Sequence, residues 1–348
     1  MDNSAFKPEN IRPGWVMGLI GIFAISVVYV VMVRLTMEWR PFLGFTVLVL
    51  PGFLFGMALT ALAFWWRGRH ILIGLLAIAV GELLVGAGLL LLGLEGLLSL
   101  LMVGPLMMST TLAGLAAAYL VARWYPAHLH IVFASLVLMA SLPLLSSIEA
   151  GRLSGAVLHT TRTEILVDAP IEAVWGSIIA PSILAEPRHW LFKWGAGYPI
   201  QIHVDGEGVG SWRLDDFPTG TYKMQVTHWE PPQRLVFQTQ EQPLPMQNIN
   251  PLYGEVYPPQ QLEIAVLSRQ GEFYAVETDD GVLVRATSWY LVAMAPDFYW
   301  YAMLDRIIRQ IHGVLLEDVK LRAESPNAGM PDYTMVQSAA PERRRLEL

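Results

Sequence analysis

Five long apolar runs in the first 150 residues constrain the fold of this chain more than any other feature. They cover about residues 14–33, 42–66, 71–93, 97–122 and 129–148. Each is close to or above the roughly 20 residues that a helix needs to cross the hydrocarbon core of a bilayer. Because backbone polar groups cannot stay unpaired in lipid, the runs are predicted to be helices. The sequence therefore predicts an all-α membrane bundle of about five spans over residues 1–150.

The basic residues beside the predicted spans indicate an orientation. With five spans, one side of the membrane holds the N-terminus with Lys7, Arg12, Arg67, Arg69 and Arg123. The other side holds Arg34, Arg40 and Arg152. Since cytoplasmic loops are enriched in basic residues, this difference favours a C-terminal half outside the cytoplasm. A re-entrant segment within residues 71–122 would move the C-terminal half to the other side of the membrane, so the side of this half is left open. We expect an integral protein of a bacterial plasma membrane, with an oligomer through the membrane helices as a further option.

One carboxylate, Glu82, lies near the middle of the third predicted span in the segment VGELLVGAG. A charge at this depth costs about 2.5 kcal/mol or more on insertion scales. Glu82 can be a proton-relay or ligand-binding acid, or a side chain hydrogen-bonded across a helix interface that neighbouring glycines allow to close. The second interpretation is favoured, because transport normally needs several polar groups within the membrane. Glu95, in the following turn, is expected to be an exposed hairpin residue.

The composition changes after Ser147. Residues 151–160 are predicted to be a linker, residues 161–325 a separate domain, and residues 326–348 a disordered tail. From residue 159 onwards the chain has 15 basic and 24 acidic residues, which argues against a nucleic-acid partner. The chain has no cysteine, and this excludes disulfides, thiolate catalysis and cysteine-bound zinc.

The predicted second domain begins with a strand, TEILVD, and a helix opened by a proline, APIEAVW. A series of strand-like segments separated by Gly, Pro and Asp turns follows, as in an antiparallel meander. The segment PMQNINPLYGEVYPPQQLE interrupts the series and is expected to cap one end of the sheet. The domain ends in a long helix from Pro296 to about Ala323, whose apolar stripe includes Leu304, Ile308 and Leu315.

This order of elements resembles the START-like helix-grip superfamily, often called SRPBCC. TEILVDAPIEAVWGSI is similar to the opening strand and helix of that family, and GEGVGSWRLDDFPTGTYKMQVTHWEPPQRLVFQ to its central hairpins. PDFYWYAMLDRIIRQIHGVLLEDVKLRAE is similar to its C-terminal gripping helix. Together the segments cover about residues 160–324. The resemblance implies an α+β fold, in which a curved antiparallel sheet surrounds a long C-terminal helix.

The resemblance also implies a cavity between sheet and helix that holds an apolar small molecule, such as a lipid. Pockets of this kind are mostly apolar, with a few polar groups that orient the ligand. The predicted ligand contacts are therefore aromatic and polar residues of the domain: His189, Trp190, Trp194, Arg213, His228, Tyr253, Tyr257, Tyr290 and His312. No cofactor or metal is expected.

Catalytic motifs such as HExxH and GxSxG are absent from the sequence. Asp305, Arg309 and His312 lie one turn apart on the last helix and could place a general base in the cavity, but a solvated helix face is favoured. The preferred function is therefore non-catalytic binding, transfer or sensing of a lipid-like molecule at the bilayer. The alternatives are an enzyme of the polyketide cyclase/dehydrase type acting on a membrane-soluble substrate, and a transporter with a regulatory ligand domain.

Overall fold

The computed structural model of the chain describes residues 14–39, 43–125, 127–152, 156–187, 189–256 and 265–325. Its first half is an apolar bundle of helices: α1 (Trp15–Trp39), α2 (Phe45–Leu48), α3 (Leu50–Arg67), α4 (Ile71–Leu91), α5 (Leu97–Trp124), α6 (His128–Ala140) and α7 (Leu142–Arg152). Four helices, with α2 and α3 counted together, are long and apolar enough to cross a membrane. A fifth exists if α6 and α7, which meet at a bend of 48°, form one span. The predicted helices are thus present, in a bundle compatible with a membrane protein.

Contacts at the two ends of the bundle show that α6 and α7 together run its full length. At one end the ring of His128 lies 6.2 Å from that of Phe64, near the C-terminus of α3. At the other end the carboxylate of Glu149 accepts hydrogen bonds from the backbone N–H groups of Phe45 (2.7 Å) and Thr46 (2.9 Å). These two groups belong to the first two residues of α2. The segment from His128 to Glu149 therefore traverses the bundle, as a fifth span would.

The centre of the bundle is α3, most of whose side chains are buried. Gly56 of α3 faces the backbone of Thr111, and Gly114 of α5 faces the backbone of Phe53, so closely that a Cβ at either glycine would overlap a carbonyl oxygen. The outer helices expose large apolar side chains, among them Val16, Ile20, Phe23, Leu72, Leu76, Leu83, Leu120 and Phe133. An apolar surface of this extent is expected of helices that face lipid.

The second half, the grip domain, is an antiparallel sheet curled around a long helix. Its strands are β1 (Val157–Val167), β2 (Ser182–Ile183), β3 (Gln201–Asp205), β4 (Trp212–Phe217), β5 (Gly220–Glu230), β6 (Arg234–Glu241), β7 (Ile249–Asn250), β8 (Gly254–Glu255), β9 (Val266–Thr278) and β10 (Gly281–Val292). Its helices are α8 (Ile171–Ile179), α9 (Trp190–Lys193) and α10 (Asp297–Glu324). Eight strands form one sheet in the order β1-β10-β9-β6-β5-β4-β3-β2, and β7 pairs with β8. This architecture confirms the predicted helix-grip fold.

The amphipathic patterns of the two main helices explain how they attach to the sheet. Pro170 precedes α8, whose apolar stripe of Ile171, Val174, Trp175 and Ile178 is buried in the core of the grip domain. The ring of Trp175 meets that of Trp229 on β5 edge to face, with 5.5 Å between the centroids. From α10, Leu316 and Val319 enter the same core. Burial of side chains of this size contributes about 1.5–3 kcal/mol each.

The first strand of the grip domain begins before residue 161. Strand β1 begins at Val157, within the segment 151–160 predicted to be a linker, and pairs along its whole length with β10. The predicted tail, residues 326–348, lies outside the described residues.

The grip domain is docked on the end of the bundle where α1, α4 and α7 end. Leu43, just before α2, bridges to Met294, just after β10, and its carbonyl accepts a hydrogen bond from the backbone N–H of Ala295 (2.9 Å). The hydroxyl of Tyr299 on α10 donates to the carbonyl of Met102 on α5. The two halves therefore share an interface around the first turns of α5 and α10.

A second contact uses the docking segment, residues 245–256, which is the described part of the insert predicted to cap the sheet. The side-chain oxygen of Asn248 accepts a hydrogen bond from the backbone N–H of Gly96 (2.8 Å), and the amide of Asn250 donates to the carbonyls of Leu90 (2.9 Å) and Glu95 (2.8 Å). These bonds cap the turn between α4 and α5. The insert thus holds the grip domain on the bundle.

Candidate ligand cavity

A cavity of about 460 Å³ runs from the inside of the grip domain into the helical bundle. Its size is typical of small-molecule sites. In the bundle it is lined by residues of α1, α4 and α5, and in the grip domain by the inner face of the sheet and the adjacent face of α10. The wall is mainly apolar, with side chains such as Val33, Val85, Leu98, Met107, Phe237, Phe273, Leu304 and Ile308. Neither half of the chain encloses this cavity alone.

The most buried charges in the grip-domain wall are Arg213 and Asp215. They are two residues apart on β4, so both side chains point to the inner face of the sheet. Nε of Arg213 lies 3.0 Å from Oδ1 of Asp215, an ion-pair contact without the alignment of a hydrogen bond, and Nη2 donates to Oδ2 at 3.3 Å. Arg213 is 1% exposed and Asp215 7%. The sheet therefore presents a buried ion pair to the cavity.

Two aromatic rings hold the guanidinium of Arg213 in place. Its Cζ lies 5.2 Å from the ring centroid of Phe237 and 5.1 Å from that of Phe273, which are cation–π distances. Gly271 on β9 is the register partner of Phe237 on β6, and a Cβ at Gly271 would overlap the Phe237 ring. The glycine therefore provides the space that the ring occupies.

The low dielectric of this wall changes the titration of its acidic groups. Burial raises the pKa of Asp215 above its ordinary value, although Arg213 opposes the change. Burial and the nearby Asp215 raise the pKa of Tyr222 to about 12. Tyr222 is the register partner of Asp215 on β5 and also lines the cavity. Its phenol stays neutral across the physiological range.

His312 on α10 forms a second polar position in the wall. One ring nitrogen, Nε2, lies 2.8 Å from Oγ of Ser288 on β10, and Nδ1 lies 3.1 Å from Oγ1 of Thr163 on β1. Burial lowers the pKa of His312 to about 4, and Arg309 adds to this effect. The imidazole is therefore neutral at pH 7 and can accept a proton from a hydroxyl that it contacts.

Tyr290 lies beside this position on the same strand, and its hydroxyl is 3.2 Å from Oγ1 of Thr161. Thr161 in turn donates to the carboxylate of Asp305 (2.8 Å), which also accepts a hydrogen bond from Arg309 at 2.8 Å. Burial raises the pKa of Tyr290 to about 12. This network joins α10 to β1 and β10 next to the cavity.

In the bundle, the cavity reaches Glu82. The hydroxyl of Thr111 on α5 donates to Oε1 of Glu82 across the helix interface (2.8 Å). This is the interhelical bond that the favoured interpretation of Glu82 predicts, and the side chain also lines the cavity. Gly86 and Gly104 line the cavity with no atom within 4 Å of where a Cβ would lie, while Gly81 packs closely against Leu59 and Phe55. Of Gly81, Gly86 and Gly88, the glycines next to Glu82 in the sequence, only Gly81 makes a close contact with another helix.

The predicted ligand contacts divide into two groups. Arg213, Tyr290 and His312 line the cavity, as does Glu82. His189 instead accepts a hydrogen bond from the backbone N–H of Leu191 at the start of α9 (3.3 Å) and stacks on Trp190, whose ring meets that of Trp194. These three residues form a surface cluster outside the cavity wall, with both tryptophans exposed.

The other predicted contacts also lie elsewhere. His228 contacts Glu230 at 3.2 Å on the outer side of β5. Tyr253 belongs to the docking segment and donates to the carbonyl of Leu91 (2.7 Å). Tyr257 lies outside the described residues.

Two expectations about solvent exposure are wrong. His312 does not lie on a solvated helix face, because α10 packs that face against β1 and β10 and leaves the side chain 4% exposed. Glu95 is not an exposed hairpin residue, because the docking segment covers it. Its carboxylate accepts a hydrogen bond from Ser99 (2.7 Å), and burial raises its pKa.

Sequence reasoning missed Asp215, Ser288 and the bundle residues of the wall other than Glu82. The alternation of β4 offered a signal for Asp215, because Arg213 and Asp215 must share a face. No local signal marks the bundle residues, whose role depends on the docking of the two halves. Among the described residues, no group of His, Asp and Glu side chains is arranged to hold a metal ion.

Comparison with solved structures finds matches at low sequence identity. A truncated norcoclaurine synthase from Thalictrum flavum matches 48% of this chain over 93% of its own, at 14% identity and a TM-score of 0.32. The Aha1 dimer from Colwellia psychrerythraea matches 48% of this chain over 96% of its own, at 16% identity and a TM-score of 0.28. These matches lie in the C-terminal half. No protein-family model and no curated protein matches the chain.

Proposed function

We propose that this protein is a membrane protein that binds a lipid-like molecule in the cavity shared by its bundle and its grip domain, without catalysis. The observation that carries the proposal is the continuity of one apolar cavity from the sheet into helices whose outer surfaces are also apolar. A ligand in this cavity contacts the grip domain and the bundle together. Binding therefore suits a molecule that enters from, or returns to, the bilayer.

Substitutions at two glycines test lipid binding in the cavity without disturbing the packing of the helices. Gly104→Leu and Gly86→Leu would each place a side chain into the bundle part of the cavity, where no atom stands in the way. Both changes also replace glycine within a helix, which favours folding. We expect each variant to lose most of the lipid that native mass spectrometry detects on the purified full-length protein.

Gly88→Leu is the matched control. Gly88 also lies on α4 with no atom within 4 Å of a Cβ position, but it does not line the cavity. Its lipid content should equal that of the wild type. Equal lipid content in all four proteins, or an absence of bound lipid in the wild type, would contradict the proposal.

An enzyme is the second candidate, and the position of His312 favours it. A neutral imidazole within 2.8 Å of the Ser288 hydroxyl, at the wall of an apolar cavity, is able to act as a general base. If the protein is an enzyme, His312→Gln should abolish turnover of a membrane-soluble substrate and keep the lipid content of the wild type. Loss of bound lipid in this variant would indicate a binding role for His312.

A further inference from the structure

The ion pair of Arg213 and Asp215 restricts the chemistry of the molecule that the cavity accepts. Among the described residues, the polar atoms of the Arg213 side chain contact only Asp215, and its guanidinium lies against the rings of Phe237 and Phe273. In the part of the chain that the structure describes, no polar group of another strand or helix bonds to the pair. Two charges removed from water without further partners are costly to bury, so the pair is a poor device for stability alone.

The pair has no net charge, and this decides between possible head groups. An anionic head at this position would approach Arg213 but would also lie beside the carboxylate of Asp215. A cationic head would approach Asp215 but would also lie beside the guanidinium of Arg213. A hydroxyl, in contrast, can accept a hydrogen bond from a guanidinium N–H and donate one to a carboxylate. The pair therefore matches a neutral head group that both donates and accepts.

The charged groups near the pair do not alter this balance. Glu272, which also lines the cavity, is paired with Arg234 at 2.9 Å. His312 is neutral at pH 7, as described above. Each charged residue in the bundle part of the wall has its own partner: Arg34 contacts Glu38 at 3.9 Å, Glu82 is hydrogen-bonded by Thr111, and Glu95 by Ser99. The remaining bundle wall is mostly apolar, with side chains such as Val85, Leu89 and Met107.

We propose that the cavity binds an uncharged amphiphile that carries a hydroxyl group, with the hydroxyl at Arg213 and Asp215 and the apolar chain directed into the bundle. This inference rests on the proposed function, because it names the class of ligand for the same cavity. It makes the two halves complementary: the sheet recognises the head group, and α1, α4 and α5 enclose the chain.

The test compares three probes of equal chain length: palmityl alcohol, palmitate and palmitylamine. Each competes with radiolabelled palmityl alcohol for the full-length protein in lipid nanodiscs, at a mildly alkaline pH where palmitate is ionised and palmitylamine still protonated. We expect the alcohol to bind at least about tenfold more tightly than either charged probe, since each charged head leaves one like-charge contact in a dry site. Tighter binding of palmitate or palmitylamine would overturn the inference.

Asp215→Asn supplies a second measurement with almost no change in shape. It leaves Arg213 unpaired, so palmitate should gain on the order of a hundredfold relative to the alcohol and become the tightest-binding of the three probes. Asp216→Asn is the matched control, because Asp216 is the next residue on β4, bonds to Thr221 and does not line the cavity. It should keep the order of the wild type.

The outcomes separate this inference from the proposed function. Equal competition by all three probes, or an unchanged order in Asp215→Asn, would overturn the choice of head group and leave lipid binding intact. Absence of binding by every probe would overturn the proposed function and the inference with it.

Discussion

At the scale of single residues, Gly271 is the position where one added methyl group should disturb the cavity wall most. Gly271→Ala would push the ring of Phe237 away from the guanidinium of Arg213. Overpacking of this kind costs about 1–3 kcal/mol, so we expect a clear fall in the apparent melting temperature of the detergent-solubilised protein.

The control for this substitution is Gly313→Ala on α10, where nothing lies within 4 Å of the Cβ position. Alanine is a better helix former than glycine by roughly 0.5–1 kcal/mol, so this variant should melt at or above the wild-type temperature. A Gly271→Ala protein that is as stable as Gly313→Ala would show that Phe237 can move freely.

His312 should make stability depend on pH. Its pKa in the folded protein, about 4, lies below the ordinary value of 6.5, because burial disfavours the charged imidazole. Between these values the unfolded chain binds more protons than the folded one, so stability is complete above pH 6.5 and decreases as the pH falls towards 4. A pKa shift of this size corresponds to roughly 3 kcal/mol in the free energy of unfolding.

The measurement is the apparent melting temperature of the wild type and of His312→Gln from pH 7 to pH 4. Asp215 also makes stability depend on pH, in the opposite direction to His312: its pKa is raised, so its contribution to stability is lost as the pH rises. This effect is present in both proteins. The difference between the two proteins therefore isolates His312. It should shrink as the pH falls, and a constant difference would contradict the assigned titration.

At the scale of elements, the docking segment is the connection whose loss should separate the two halves. Asn248→Ala removes the acceptor for the backbone N–H of Gly96, which is buried at the interface. We expect hydrogen exchange in residues 93–99 and 245–256 to rise by about tenfold, while exchange in β4 to β6 stays unchanged, because the sheet does not depend on this contact.

Gln242→Ala is the corresponding control within the grip domain. Its side chain bonds to the backbone of Val266 (2.9 Å) and Ser268 (2.7 Å) and does not contact the bundle. Exchange in residues 93–99 should be unaffected. If Asn248→Ala also left this turn protected, the apolar contacts around Leu43 and Met294 would be sufficient for docking.

The elements themselves could be predicted from the sequence, but their partners could not. The stripe on α8 and the one on α10 follow from the helical period, and both helices pack as that period implies. The alternation of β4 places Arg213 and Asp215 on one face without saying which face is inner, because each strand has two equivalent phases until it meets its core. Asn248 and Asn250 lie in a segment without periodicity, and their partners on the turn before α5 are some 150 residues away in the chain.

At the scale of the whole molecule, the arrangement of the ends of the bundle favours five crossings. The segment around Leu43, the turn at residues 92–96 and the end of α7 near Glu149 all lie at the end that carries the grip domain. The turns after α3 and after α5 lie at the other end, where Arg69 donates to the carbonyl of Ala122 (2.8 Å). Successive connections thus lie at alternate ends of the bundle, as expected for an odd number of spans. The grip domain and the N-terminus of α1 therefore lie on opposite sides.

Because the natural chain has no cysteine, single cysteines can test this arrangement without background. His70→Cys lies at an exposed position after α3, and Asp279→Cys in the exposed turn between β9 and β10. We expect a membrane-impermeant maleimide, added to intact cells, to label only Asp279→Cys, since the count of basic residues favours a grip domain outside the cytoplasm. Labelling of only His70→Cys would keep the five crossings and reverse the orientation. Labelling of both from the same side would contradict the five-span arrangement, and α6 with α7 would then have to form a re-entrant loop.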